Sequence, residues 1–224
     1  MKKKEIRTMD ELLGLDITKV EELSLYDIGD YTIKVEHNIT IRLYNSSPRI
    51  VVRGDGSPIV EAYGTSSPQV VAKDTSSPTV VAYDASTPQV VAKDTSRPRV
   101  RAFDMSSPVV DADDMSSPRV EAYSGGSPQV AAYDMSSPIV KAYDGSKPQV
   151  NAYGGGSPQV IAYDRSSPQV DASKTSSPRV EAYGSSIIRY SGPKIDLLCS
   201  TNSSVITTNS DFAPSKHVIV QSDK

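Results

Sequence analysis

Residues 116–145 read SSPRVEAYSGGSPQVAAYDMSSPIVKAYDG, and this stretch decides the fold because Ser-Pro-x-Val-x-Ala-Tyr returns every ten residues. The decapeptide runs over residues 46–186 without insertion or deletion, so each of its positions can be treated as a column. Pro occupies the column from 48 to 178, Val or Ile follows two residues later, and Ala or Val two residues after that. Alternation of period two predicts a β-strand, and the small apolar columns predict its buried face.

The residues after the aromatic position predict a turn. Asp84-Ala85-Ser86 and Gly154-Gly155-Gly156 are two examples, and Asp, Gly and Ser close turns through local hydrogen bonds or a positive φ. Each decapeptide should therefore form one strand of about six residues and one turn of about four. Such a strand spans roughly 17–20 Å. If one decapeptide formed a whole coil, its four-residue turn would have to run back over that distance and would leave no room for Val and Ala inside. Two decapeptides per coil are the expected geometry.

The outward columns support this geometry, because residues stacked in successive coils would lie twenty positions apart. Aromatic residues keep that spacing at Tyr63, Tyr83, Phe103, Tyr123, Tyr143, Tyr163 and Tyr183. The interleaved column is mixed: Arg53, Lys73, Lys93, Asp113, Tyr133, Tyr153 and Ser173. A further column contains Gln69, Gln89, Gln129, Gln149 and Gln169, which we expect to form a hydrogen-bonded ladder. The sequence thus predicts an all-β, two-sided β-solenoid with about 20 residues per coil and two unlike faces.

The repeat is flanked by two different segments. Residues 1–45 predict a small α+β N-terminal cap, in which Thr8 and Glu11 form a capping box at the start of a short helix. Within it, VEELSLYD (20–27), YTIKVEH (31–37) and ITIRLY (39–44) alternate like strands. Residues 187–224 predict a β-rich C-terminal segment with strands at IIRY, KIDLLCS, SVITT and HVIVQ. Both ends have a structural role, because stacked repeats need atypical ends to cover the terminal core and to block edge pairing.

Composition limits the function classes. The apolar fraction of 37%, without Trp, argues against a conventional globular core in the repeat. The 24 basic and 27 acidic residues are mixed along the chain, which argues against a nucleic-acid partner. The start, MKKKEIRTMDELLGL, has no apolar segment after its lysines, and no run of about 18 apolar residues occurs. We therefore expect a soluble protein without a classical signal peptide, transmembrane helix or membrane insertion, made in the cytoplasm and compatible with a virion or with another export route.

The motif V-x-A-Y-[DGS], as in VEAYGTSSP (60–68) and VKAYDGSKP (140–148), resembles short-repeat proteins of bacterial and phage genomes in which V-x-A-Y or V-x-A-W units recur. The resemblance covers residues 46–186 and implies a β-solenoid that is phage-associated or on a cell surface. It implies no functional residues. The ten-residue unit and its fixed Pro depart from the commoner eight-residue form.

The aromatic column is the predicted binding face. Together with Arg99, Arg119 and Arg179 it would form a platform on which sugars or bases stack. The simpler alternative is a ladder of rings that stiffens the rod, each contact adding roughly 0.5–1.5 kcal/mol. Opposite charges are expected side by side in neighbouring coils. Arg101, Glu121 and Lys141 would alternate in sign on the aromatic face, and Lys93 would lie beside Asp113 on the other face.

An acidic column allows two interpretations. It comprises Asp74, Asp84, Asp94, Asp104, Asp114, Asp134, Asp144 and Asp164. Calcium could bind between coils, as in Gly-Gly-x-Gly-x-Asp repeats, but most of those glycines are missing here. Turn closure is therefore the favoured interpretation, and no metal site and no cofactor is predicted.

Catalysis has little support in the sequence. The histidines, His37 and His217, lie in the two flanks without metal-ligand spacing, and Cys199 follows two leucines as a buried strand residue would. A glycan-degrading enzyme built on the solenoid would need clustered outward carboxylates. The candidates are Glu61, Glu121, Glu181, Asp111 and Asp171.

The sequence therefore favours a non-enzymatic, rigid scaffold that presents a repetitive surface for adhesion or for recognition of a protein or glycan. One alternative is a purely structural spacer whose working parts are its two ends, and another is the glycan-degrading enzyme. Self-association through the solenoid ends, or through exposed valines at Val71, Val81 and Val91, is a further expectation.

Overall fold

The computed structural model describes residues 2–173, 175–192, 195–200, 202–207 and 219–221, which form two parallel sheets wound into a β-solenoid of about ten coils. Sheet A contains β1 (Lys3–Ile6), β2 (Glu22–Tyr26), β4 (Thr40–Tyr44), β6 (Ile59–Tyr63), β8 (Thr79–Ala82), β10 (Arg99–Ala102), β12 (Arg119–Ala122), β14 (Ile139–Ala142), β16 (Gln159–Ala162), β18 (Arg179–Ala182), β20 (Asp196–Ser200) and β22 (Ile219–Gln221). Sheet B contains β3 (Thr32–Val35), β5 (Arg49–Val52), β7 (Gln69–Ala72), β9 (Gln89–Ala92), β11 (Val109–Ala112), β13 (Gln129–Ala132), β15 (Gln149–Ala152), β17 (Gln169–Ala172), β19 (Ile187–Ser191) and β21 (Ser204–Thr207). Their outward surfaces are called face A and face B.

The register confirms the coil of twenty residues. Gln149 lies beside Gln169 in sheet B, and Arg99 lies beside Arg119 in sheet A. The regular strands of the repeat are mostly four residues long, but hydrogen bonding continues at both ends. The carbonyl of Pro68 accepts from the Gln89 N–H at 2.8 Å. The fixed Pro therefore has no N–H to donate but still accepts a hydrogen bond from the next coil of the same sheet. The all-β, two-sided solenoid predicted from the repeat is therefore confirmed.

The core is a stack of small side chains between the sheets. Val70 and Ala72 are fully buried, and nearly all their counterparts along the repeat are buried in the same way. The Ser column at the turns also points inward: Ser66 is fully buried, with its hydroxyl 3.1 Å from the Leu43 carbonyl and 2.7 Å from the Tyr63 carbonyl. The narrow coil explains why nearly all of these inward positions hold small side chains, Val or Ala on the strands and Ser or Gly at the turns.

The turns show why Asp and Gly share a column. Asp94 has φ 59° and Gly54 has φ 62°, a left-handed conformation that Gly adopts freely and Asp tolerates. The Asp94 carboxylate accepts the backbone N–H of Asp74 at 3.0 Å, and the Asp74 carboxylate accepts that of Gly54 at 3.2 Å. The carboxylates therefore join the turns of successive coils instead of closing their own turns, and it is the positive φ at this position that fits Asp and Gly to the turn.

The N-terminal segment continues both sheets. Strands β1, β2 and β4 extend sheet A, β3 extends sheet B, and β1 is a strand that the sequence did not predict. The helix α1 (Met9–Leu13) begins at the capping box predicted for Thr8 and Glu11, which is confirmed. This helix and the 3₁₀ turn Ile17–Lys19 occupy the place where sheet B would need a strand before β3.

Strand pairing also continues past the other end of the repeat, where β19 to β22 confirm the four predicted C-terminal strands. The boundaries at residues 45 and 186 stay a prediction, because the sheets run through both. Within the described residues, no helix has the length and apolar character needed to cross a membrane.

Candidate functional site

The aromatic column predicted as a binding face is a continuous stack of rings. Its members end the strands of sheet A or directly follow them: Tyr26, Tyr44, Tyr63, Tyr83, Phe103, Tyr123, Tyr143, Tyr163 and Tyr183. Successive ring centroids lie between 4.7 Å (Tyr26 to Tyr44) and 5.4 Å (Tyr83 to Phe103) apart, with nearly parallel planes. The column is two rings longer than the sequence predicted. The two additional rings, Tyr26 and Tyr44, lie at the ends of β2 and β4, and a Tyr near the end of each of the two matching predicted strands could have indicated them.

The stacking covers the ring faces. Every ring between the first and the last has a neighbour on each side, and the guanidinium of Arg7 lies 4.2 Å from the centroid of Tyr26 at the first end. Sugars and bases stack on aromatic faces, so the inner rings offer solvent their edges instead. Burial of the ring, followed by the nearby Glu61 carboxylate, raises the pKa of Tyr63 to about 12, so its hydroxyl keeps its proton at neutral pH.

The arginines predicted to flank this binding face are held by carboxylates. Arg99 and Arg119 both bond Glu121, at 3.0 and 2.9 Å, and Arg179 bonds Glu181 at 3.0 Å. Glu121 is 3% exposed and also pairs with Arg101 at 3.3 Å, as predicted. Burial alone would raise its pKa, but the hydrogen bond from Arg99 and the surrounding positive charges outweigh burial and lower the pKa.

Tyrosine hydroxyls complete this internal pairing. Tyr63, Tyr123 and Tyr183 donate to the glutamate two residues earlier in the chain, Glu61, Glu121 and Glu181, at 3.3, 3.3 and 3.0 Å respectively. The predicted site residues are thus brought together on one face, where their polar groups and ring faces contact one another.

Face B is constructed differently. Its predicted ion pair, Lys93 with Asp113, is confirmed at 3.7 Å. The glutamines line up in register, but the prediction of a hydrogen-bonded ladder is wrong. Within the described chain their amides do not bond each other, and the Gln169 amide donates to Asp171 at 2.9 Å instead. The strand spacing aligns the amides, but their side chains turn to other partners or to solvent.

The valines predicted to be exposed do not form one apolar surface. Val71 is 5% and Val81 is 7% exposed, and they lie on opposite sheets. Val91, which has the same Gln and Lys two residues before and after it as Val71, is only partly buried.

The carboxylates considered for catalysis are well separated. Glu61, Glu121 and Glu181 are spaced three coils apart, or roughly 14 Å at about 4.8 Å per strand. Paired glycosidase carboxylates lie about 5–9.5 Å apart. Asp111 and Asp171 are likewise three coils apart on face B.

The remaining candidates for chemistry are few. The described residues hold no group of three or more His, Cys, Asp or Glu arranged to bind a metal. Burial raises the pKa of the Cys199 thiol, which keeps it in the unreactive protonated form. His217 lies outside the described residues. No protein-family model, curated protein or solved structure matches this chain.

Proposed function

We propose that the protein is a non-enzymatic, rigid β-solenoid scaffold that recognises a partner or glycan through face B. The supporting observation is the difference between the two faces. On face A, the rings stack on one another and the glutamates are bonded by arginines and tyrosines. On face B, Gln149, Asn151 and Arg189 make no side-chain hydrogen bond or ion pair within the described part of the chain. Polar groups that are outward, aligned and unpaired remain available to a ligand.

Rigidity supports the same function. A ligand that contacts several coils gains affinity when those coils already have the correct spacing, because less conformational freedom is lost on binding. Here the spacing is fixed by the backbone ladder, by the stacked rings and by the bonds between turns. The V-x-A-Y resemblance is the support for a phage-associated or cell-surface setting.

A glycan array tests this function. The full-length chain is labelled and applied to immobilised oligosaccharides, and the retained glycans are then examined for shortened products. We expect retention without degradation, and we expect Gln149→Glu on face B to weaken it more than Lys141→Gln on face A. Shortened products would instead support an enzyme.

A structural spacer is the second candidate, and the stacked column favours it, because both faces of the inner rings are covered. The two candidates differ in the same array. Failure to retain any glycan, together with failure to bind cell or particle surfaces, would refute the recognition function and leave the spacer.

A further inference from the structure

A small patch at the C-terminal part of face B combines several polar groups, some of which have no partner among the residues that the structure describes. Strands β15, β17 and β19 place Gln149 beside Gln169, and Gln169 beside Arg189, in successive coils. A shallow cavity of about 240 Å³ lies among Lys147, Gln149, Ser167, Gln169 and Arg189. A second one of about 120 Å³ adjoins it at Gln169, Asp171 and Arg189. Both cavities are lined by residues of β15, β17 and β19 and of the turns beside them.

The two cations of this patch are free. Lys147 and Arg189 line the same cavity, and neither forms an ion pair or a side-chain hydrogen bond within the described residues. The contrast with face A is direct, since Arg99, Arg119 and Arg179 are all bonded to buried or nearly buried glutamates there. Two unpaired cations facing one cavity favour an anionic ligand.

An open aromatic face lies at the other end of the patch. Tyr153 stacks on Tyr133 with centroids 5.2 Å apart, but the next coil carries Ser173 in that column, so the second face of Tyr153 has no ring against it. Tyr153 is 45% exposed, and the three glycines that follow it have no side chains to cover the ring. This is the stacking surface that the inner rings of face A lack.

Between the two ends lie hydrogen-bonding groups of both kinds. Gln149 and Asn151 offer amide donors and acceptors, while the Asp171 carboxylate in the adjoining cavity accepts from the Gln169 amide at 2.9 Å. From Lys147 to Tyr153 the strand direction covers about 20 Å, and three coils cover about 10 Å across. A surface of this size accommodates several sugar rings.

We infer that this patch binds a carboxylated saccharide, with the carboxylate between Lys147 and Arg189, hydroxyls on the amides of Gln149 and Asn151, and one sugar ring against Tyr153. The inference rests on the proposed recognition function and specifies its ligand. A sugar presents an apolar C–H face to an aromatic ring and hydroxyls to amides, while guanidinium groups pair with carboxylates in two parallel hydrogen bonds. A phosphate would need only the two cations and would leave the amides and the ring unused.

Calorimetric titration of the full-length chain tests the inference with two probes, trigalacturonic acid and 3′-sialyllactose. The methyl ester of each probe is the matched control, since it keeps the sugar and removes the charge. We expect the acids to bind, the esters to bind at least tenfold more weakly, and the affinity for the acids to fall as salt rises from 50 to 300 mM. Inorganic phosphate serves as the competitor that reports on the cations alone.

Variants locate the site. Lys147→Gln with Arg189→Gln should lower the affinity for the acids about tenfold, because two exposed charge pairs are lost. Lys141→Gln with Arg165→Gln removes the same net charge elsewhere and should leave the affinity unchanged. Tyr153→Ser should weaken acids and esters alike. A thermal melt of each variant checks that the solenoid is intact.

The outcomes separate this inference from the proposed function. Equal binding of acid and ester, equal effects of the two charge variants, or complete displacement by millimolar phosphate would each overturn the carboxylated-saccharide site. Retention of neutral glycans on the array would then leave the recognition function standing. If neither acid binds and the array retains nothing, both are wrong.

Discussion

Removing two neighbouring rings from the middle of the face A column should destabilise the solenoid markedly. The double variant Tyr123→Ser, Tyr143→Ser eliminates three ring contacts, those with Phe103, between the two tyrosines, and with Tyr163, whose centroid distances are 5.0, 4.9 and 5.0 Å. At about 0.5–1.5 kcal/mol per contact, the expected loss is about 3 kcal/mol. For a chain of this length, that corresponds to a fall of about 6–12 °C in the melting temperature.

The chain supplies a matched control on face B. Tyr133→Ser with Tyr153→Ser makes the same chemical change at the same spacing, but it eliminates a single ring contact, with centroids 5.2 Å apart. Both tyrosines are also more exposed than the rings of face A. The expected loss is about 1 kcal/mol, or about 2–4 °C. Ser173 shows that serine is accommodated in such a column.

Both double variants are measured by thermal melts and by urea unfolding followed by circular dichroism. The dependence of the free energy of unfolding on urea concentration must be the same in each variant as in the parent protein. A solenoid can unfold in parts, and a changed dependence would indicate a different transition. Equal falls in the two double variants, or an unchanged midpoint in the face A variant, would refute the stacking argument. In that case the nine rings would be kept on a surface that does not need them for folding.

Three further predictions concern single carboxylates. Asp94→Ala loses the bond to the Asp74 N–H and places alanine at φ 59°, so we expect the free energy of urea unfolding to fall by about 1–2 kcal/mol. Asp94→Gly should recover a part of this loss, because glycine adopts that φ freely. Equal losses in the two variants would exclude backbone strain as a cause. Glu121→Gln should cost about 1–3 kcal/mol at pH 7, because Arg99 and its neighbours lose a charged partner. Since the pKa of Glu121 is lowered in the folded protein, its contribution is complete above the ordinary carboxyl pKa and is lost as the pH falls through the lowered value, so the melts of parent and variant should converge in acid. Asp111→Asn should raise the melting temperature by about 1–3 °C at pH 7, because burial and a neighbouring carboxylate raise the pKa of Asp111 and its charge disfavours the fold. This gain should shrink as the pH falls through the raised pKa. A lower melting temperature of the variant at pH 7 would contradict the prediction.

The coil and its two faces were predictable because the repeat keeps one length. Residues twenty apart are neighbours throughout the repeat, so the columns can be compared directly. The same rule missed Tyr26 and Tyr44, because the first coils are shorter: Tyr26 pairs with Tyr44, eighteen positions on, and Tyr44 pairs with Tyr63, nineteen positions on. A fixed period cannot identify stacked residues where the coil length changes.

Side-chain partners were less predictable than columns. Arg101 beside Glu121 followed from adjacent strands, but Glu121 is also bonded by Arg99 and Arg119, which lie two residues away along the strand direction. That convergence depends on long side chains bending across the face toward one carboxylate. Within the described residues Lys141 forms no ion pair with Glu121, since the arginines already bond that carboxylate.

The two faces can have separate roles because each coil contains two decapeptides. Identical units would give identical faces, whereas only one of the two units in each coil carries an aromatic residue throughout the repeat. Each added ring on face A stabilises the boundary between two coils, and this holds face B in register as well, since both sheets belong to the same coils. Side chains on face B can then vary without loss of the fold, as the change from Tyr153 to Ser173 illustrates. If this division holds, loss of face A rings will lower the melting temperature more than loss of face B rings, and Lys147→Gln with Arg189→Gln on face B will weaken ligand binding with the solenoid intact; a variant set in which both properties always change together would contradict it.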